Sequence, residues 1–218
     1  MCGRFTVTAT PNELLNRFGV AINSNLAPRW NVAPSQSSPI IKAHGMTNEV
    51  EMARFGLDGI APHKSLINAR CETITQKPTF ADAFASRRCL IVASGWYEWQ
   101  GKGKPYHIQL NDGRVMAFGG LSFTKAGQTH FVIVTTAATG MLADIHHRAP
   151  LVLASSDWQR WLQASGAEAE PLLQPINSTH FNAYRVSPDV GNVRHDHAGL
   201  TAPYEAPVEV PDQADLFS

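Results

Sequence analysis

The sequence predicts a single β-dominated domain with a few short helices, followed by a tail, and three observations lead there. The 218 residues are 44% hydrophobic, enough for one sizeable core, and no stretch reads as a spacer between two. Short apolar or β-branched runs recur between turn signals, while helical periodicity is brief. After residue 200 the chain becomes proline-rich and acidic, a composition too poor in contacts to fold alone. The expected division is residues 1–200 for the domain and 201–218 for the tail.

The elements follow in order. Thr10-Pro11-Asn12-Glu13 supplies a capping hydroxyl, a first-turn proline and an acid three residues after the cap, so a short helix is predicted with Leu14, Leu15 and Phe18 on one face. Residues 38–43 and 48–55 predict a hairpin across His44-Gly45. Residues 89–93, 95–100, 105–110 and 114–119 read as successive strands, with turns at Lys102-Gly103-Lys104 and Asn111-Asp112-Gly113. Residues 131–135 and 149–153 are two further strands. Ser155-Ser156-Asp157 is expected to cap a helix that buries Trp158, Trp161 and Leu162.

Composition narrows the class. No apolar run approaches the roughly 18 residues of a membrane span, and the start carries neither a basic leader nor an apolar signal core, so a cytosolic protein is expected. Cys2, Cys71 and Cys89 are odd in number and lack CxxC spacing, which argues against a disulfide framework and a structural zinc; Cys71 and Cys89 read as buried thiols. The histidines lack paired ligand spacing with other donors, so neither metal nor cofactor is expected. The net charge of zero hides an asymmetry: residues 1–200 carry 18 Lys and Arg against 14 Asp and Glu, and residues 201–218 carry four acids and no base. Twelve of the 18 cations are Arg, a bias that suits phosphate contacts without requiring them.

The chemistry starts at Cys2. Loss of Met1 would leave an amine and a thiol on adjacent carbons, titrating roughly near pH 8 and 8.5, so both nucleophiles are partly available at neutral pH. Such a pair traps aldehydes, the amine forming a Schiff base and the sulfur closing it into a thiazolidine. Candidate partners are Asn68 in Ile67-Asn68-Ala69-Arg70, Glu98 in Gly95-Trp96-Tyr97-Glu98-Trp99, and His146 in Asp144-Ile145-His146-His147-Arg148-Ala149-Pro150. Each alone suits an ordinary role: a turn-forming Asn, a solvent-face Glu, a satisfied His.

Together and in this order, Met1-Cys2-Gly3-Arg4-Phe5, Arg29-Trp30-Asn31-Val32-Ala33-Pro34, Ile67 to Thr73, Arg87 to Ile91, Gly95 to Trp99, Ile145 to Pro150 and Val186-Ser187 resemble the SOS response-associated peptidase family, also described as abasic-site processing proteins. The resemblance implies an α+β domain of curved, mainly antiparallel sheets, distorted and barrel-like, with the cysteine in a cleft for single-stranded DNA. Its implied target is the abasic site, a latent aldehyde, and its implied product a thiazolidine DNA–protein crosslink that shields the lesion. Carried over by position, Cys2 is the nucleophile, Asn68 orients the amine or sugar, and Glu98 and His146 exchange protons. Trp96 and Trp99 are expected to desolvate Glu98, and His146, tuned near neutrality, to protonate the sugar ring oxygen. Arg4, Arg70 and Arg148 are expected on phosphates, Trp99 and Pro34 stacked on bases, and Asn31 and Thr135 as further hydrogen-bonding groups. The resemblance also implies Schiff-base lyase activity, crosslink reversal, and a peptidase activity limited to removing Met1. The chain departs from the family pattern at Phe55-Gly56-Leu57, at Ala61-Pro62-His63-Lys64, where a stacking tryptophan is lacking, and at Ala149; His147 is a rival to His146.

Two other functions fit parts of the sequence. Met-Cys-Gly also opens glutamine amidotransferases of the N-terminal-nucleophile class, although Arg4-Phe5 replaces their apolar continuation. A non-reactive reader of damaged DNA would keep its function in Cys2→Ala. In the tail, Gln213, Leu216 and Phe217 resemble the short peptide that docks bacterial proteins on the polymerase sliding clamp. A monomer is expected.

Overall fold

The computed structural model describes residues 2–22, 26–61, 64–101 and 103–205. Its strands run β1 Phe5–Val7, β2 Arg29–Val32, β3 Ser37–His44, β4 Thr47–Phe55, β5 Leu57–Ala61, β6 Lys64–Leu66, β7 Asn68–Arg70, β8 Arg88–Ala93, β9 Gly95–Trp99, β10 Pro105–Leu110, β11 Met116–Lys125, β12 Gln128–Ala137, β13 Arg148–Pro150, β14 Val152–Leu153 and β15 Phe181–Arg185. The helices are α1 Pro11–Phe18, α2 Pro78–Ser86, α3 Met141–Ile145, α4 Trp158–Gln163 and α5 Gly166–Ala169. Pairing runs from β12 through β4, β3, β8 and β11 and back to β12, so five strands close into a barrel; the β12–β4 contact is parallel and the others antiparallel. An antiparallel sheet in the order β15-β10-β9-β1-β2 lies against it, and β5 and β6 form a separate ribbon. The α+β, mainly antiparallel expectation stands.

Phe5 joins the two sheets. It leaves β1 edge-on to Phe55, Phe118 and Phe131 at centroid distances of 5.6, 6.1 and 6.4 Å, and Phe55 and Phe131 stack at 5.1 Å. Each such pair contributes roughly 0.5–1.5 kcal/mol beyond simple burial. Arg88 is buried against the barrel, where its guanidinium donates to the carbonyls of Phe84 and Ala85 at the end of α2 and of Trp161 and Ala164 at the end of α4. One cation thus satisfies the orphan carbonyls of two helices.

Several expectations are refined. Thr10 and Glu13 form the capping box of α1 and bury Leu14 and Phe18, but Leu15 is 51% exposed, because its position is rotated off the face shared by residues four apart. The β3–β4 hairpin turns at Gly45-Met46, with Gly45 at φ 58°. β12 extends well beyond 131–135 because Ala126 and Gly127, both at positive φ, make a tight hairpin with β11. Residues 149–153 do not form one strand. Leu151 donates to Val134 of β12 and accepts from Gly119 of β11, so the chain crosses between barrel strands and the run breaks into β13 and β14. Ser155-Ser156-Asp157 is a 3₁₀ turn that continues directly into α4 and makes no side-chain cap, while Trp158, Trp161 and Leu162 are buried as expected. The turn at residue 102 and the tail beyond 205 lie outside the described residues. Up to there the chain stays on the sheet: the Tyr204 N–H donates to the Arg185 carbonyl at 2.9 Å, and the Arg185 guanidinium lies over its ring. Among the described residues, no helix is long and apolar enough to cross a membrane.

Candidate active site

Strand register delivers Cys2. Phe5 pairs with Trp96 and Thr6 with Gly95, and the Tyr97 N–H donates to the Arg4 carbonyl at 2.9 Å; the same register carries Cys2 and Gly3 alongside Glu98 and Trp99. Cys2 is wholly enclosed. Asn68 opens β7, which is held parallel to β12, and its Nδ2 donates to the Cys2 carbonyl at 3.0 Å, while its Oδ1 is secluded without a hydrogen-bond partner among the described residues. His146 follows α3, its N–H bonded to the Leu142 carbonyl at 3.0 Å. Gln100, just after β9, donates to the Asp144 carbonyl at 3.0 Å and fastens that strand to α3.

The electrostatics divide the proton-transfer roles. Burial pushes the Cys2 thiol well up, the Glu98 charge adds to the shift, and the Arg4 backbone N–H directed at the sulfur opposes it; the thiol stays protonated at neutral pH. Burial also pushes the Glu98 carboxyl up to about 7, in a side chain only 3% exposed. Alternation along β9 gives Trp96 alone of the two tryptophans to the face of Glu98. Tyr97 and Trp99 point the other way, into a cluster with Val186, Val190 and Leu200, so Trp99 does not desolvate the carboxyl as expected. Burial lowers the His146 pKa, and its Nδ1 lies 3.0 Å from the Arg148 nitrogen and 3.1 Å from the Arg148 carbonyl oxygen, so the Arg148 backbone faces this ring atom with both a donor and an acceptor. Near pH 7, therefore, Glu98 is about half protonated, with its pKa raised as expected, and His146 is neutral. His147 is exposed and packs on His146 at 4.3 Å between ring centroids.

The residues expected on DNA fall into two groups. Arg148 is 9% exposed; it grips both Glu72 carboxylate oxygens and donates to the Thr135 carbonyl at 2.6 Å and Oγ1 at 3.2 Å, and Thr135 is itself 1% exposed. The Arg148 guanidinium holds the Glu72 carboxyl down at about 2. Arg4 donates to Asn31 Oδ1 at 3.0 Å and to the Val190 and Gly191 carbonyls at 2.7 and 3.1 Å. Asn31 is fully enclosed and faces the carbonyls of Val190, Asn192 and His195. These four side chains bind protein groups. Arg70 is exposed and has no hydrogen-bond or ion partner among the described residues, and Pro34 is half-buried in a turn with Ser35 at φ 75°. The family resemblance gives Glu72 no role, and no sequence pattern marks Asp196, which accepts from the backbone of Trp30 and Asn31. Cys89 is buried as expected, but Cys71 is only half-buried, since it begins a 3₁₀ turn at the surface end of β7. Among the described residues, no cluster of three His, Cys, Asp or Glu could hold a metal ion. His63 and residues 213, 216 and 217 lie outside the described residues.

A small mixed barrel, with an antiparallel sheet that sets an enclosed thiol beside a buried carboxyl, defines a class of β-rich protein. Within that class, the chain belongs to the SOS response associated peptidase (SRAP) family, whose model matches residues 1–193. It is 34% identical to abasic site processing protein YoaM of Bacillus subtilis (strain 168), across 92% of this chain and 97% of that protein. Abasic site processing protein YedK of Escherichia coli (strain K12) is 30% identical across 93% and 100%. Abasic site processing protein HMCES of Rattus norvegicus is 26% identical across 93% and 76%. A crystal structure of a protein from Bacteroides thetaiotaomicron superposes with a TM-score of 0.80 at 23% identity, covering 94% of this chain and all of that one, a likeness of fold.

Proposed function

We propose that this protein processes abasic sites in single-stranded DNA by trapping their aldehyde on Cys2 after loss of Met1. The observation that carries the reading is the meeting of Cys2, Asn68 and Glu98 in one secluded corner, the carboxyl poised at about 7. Protonated Glu98 gives its proton to the ring oxygen as the sugar opens. The Cys2 amine adds to the aldehyde, and the carbinolamine loses water with proton transfer through Glu98 and the His146 imidazole, leaving an imine. The sulfur then bonds to the imine carbon while the thiol proton passes to the imine nitrogen. Overall, one aldehyde and one aminothiol give one thiazolidine and one water. The secluded Asn68 Oδ1 offers an acceptor to the amine or to a sugar hydroxyl. Arg70 pairs with a phosphate next to the lesion.

The ring-closed crosslink shields the site during replication in the nucleoid. An imine left open undergoes β-elimination, the lyase side reaction, and reversal of ring closure releases the DNA. Removal of Met1 is the narrow peptidase activity. The tail docks through Gln213, Leu216 and Phe217 on a sliding clamp, an interaction that deleting residues 213–218 would abolish in a pull-down. The deciding experiment mixes protein with a single-stranded oligonucleotide carrying one abasic site, beside Cys2→Ala, and reads a denaturing gel and the intact mass. A covalent species that lacks Met1 and requires Cys2 is expected. Loss of Met1 without any adduct would refute the proposal and favour a glutaminase or a non-reactive reader.

A further inference from the structure

We propose that Asn31 and Asp196 are positioning residues for the Cys2 sulfur, acting through Arg4, in a mechanism that rests on Cys2 as the aldehyde trap. Residues 186–201 cross the ends of β1 and β2 as a strap, with Val186, Val190 and Leu200 buried on Tyr97. The strap is locked from both sides. From the sheet, Arg4 donates to the carbonyls of Val190 and Gly191, and the fully enclosed Asn31 accepts from Arg4 and donates to the same Val190 carbonyl and to two more, of Asn192 and His195. From the strap, the Asp196 carboxylate accepts from the Trp30 N–H at 2.6 Å, the Asn31 N–H at 3.1 Å and the Arg29 side chain.

Arg4 carries this lock to the nucleophile. Its carbonyl is held by the Tyr97 N–H, and two residues before it the Cys2 side chain is wholly enclosed with the Cys2 carbonyl held by Asn68 Nδ2, so the segment that bears the sulfur is pinned at both ends. The two chemical steps at Cys2 place unequal demands on that geometry. Imine formation uses the amine that loss of Met1 would leave as the chain end, and there the aldehyde carbon is brought to it by the incoming DNA. Ring closure instead needs the enclosed sulfur aimed at the imine carbon, where a misplacement of about 1 Å can cost about 100-fold. Loosening the strap therefore slows the C–S bond more than the C=N bond.

The test is Asp196→Asn, nearly isosteric, assayed on abasic single-stranded DNA in two ways: borohydride reduction to capture the imine, and a denaturing gel without reductant to count the stable ring-closed crosslink. Captured imine is expected within about twofold of the parent, the stable crosslink is expected to form about tenfold more slowly, and strand cleavage is expected to rise as open imine persists. A parallel loss of both adducts would assign Asp196 a purely structural role and overturn the proposal, as would no change in either. Arg29→Gln, which loosens Asp196 from a half-exposed position, gives the same readouts should Asp196→Asn not fold. A parent protein that yields neither adduct would instead overturn the aldehyde-trap reading on which the proposal stands.

Discussion

At the scale of single residues, Glu98 links stability to chemistry. Its carboxyl is raised from 4.5 to about 7 by burial. Below pH 4.5 folded and unfolded chains both hold this proton. Between 4.5 and 7 the unfolded chain has released it and the folded chain has not, so stability declines as pH rises through that window, by roughly 3 kcal/mol. Glu98→Gln cannot ionise and is expected to lack the decline, so urea unfolding at pH 5 and pH 8 should separate the parent's midpoints and leave those of the variant together. The crosslinking rate of the parent should inflect near pH 7, and the variant should be slower by about 100-fold with no inflection. That Cys2, Asn68 and Glu98 lie close together was readable only through the ordered resemblance of their motifs, since each residue alone suits an ordinary role. The partners of Arg4 and Arg148 were not: Val190 lies 186 residues from Arg4 and Glu72 lies 76 from Arg148, distances no local pattern spans.

At the scale of elements, β9 sets the site, and its start tolerates little. A Cβ on Gly95 would lie 2.4 Å from His107 Nε2 and 2.8 Å from the Ile108 carbonyl oxygen, and the second contact is backbone that cannot rotate aside. Gly95→Ala is therefore expected to destabilise the protein by roughly 1–3 kcal/mol, seen as a lowered melting temperature. It should also depress crosslinking, since the same strand carries Glu98. Hairpin β3–β4, helix α1 and strands β8 to β10 were readable from turn and cap chemistry. The strands β1, β2 and β15 were not, since three to five residues give too little alternation to count. Helix α5 is not readable from the sequence although Ser165 and Glu168 carry the same capping box as α1, because only four residues follow the cap.

At the scale of the whole molecule, barrel closure depends on β12 pairing with both β4 and β11, a long-range choice that strand patterning alone does not express. Charge, by contrast, can be argued from the sequence and sharpened by the structure. The chain is neutral overall, yet removing residues 206–218 deletes three acids and no base, leaving 18 cations against 15 anions. Of the three arginines expected on phosphates, Arg4 and Arg148 are committed to protein partners and Arg70 is free among the described residues. Binding to single-stranded DNA should consequently show a shallow salt dependence, with a log–log slope of about −0.7 for each phosphate contacted, and Arg70→Ala should remove about one such contact. Deleting residues 206–218 should tighten binding at low ionic strength, because like charges repel over a Debye length of about 30 Å at 0.01 M. The gain should vanish near 1 M, where that length is about 3 Å. Fluorescence anisotropy of a labelled oligonucleotide across this range checks both expectations. Equal affinity of the full and truncated chains at low salt would mean that the tail's charge is not felt at the cleft.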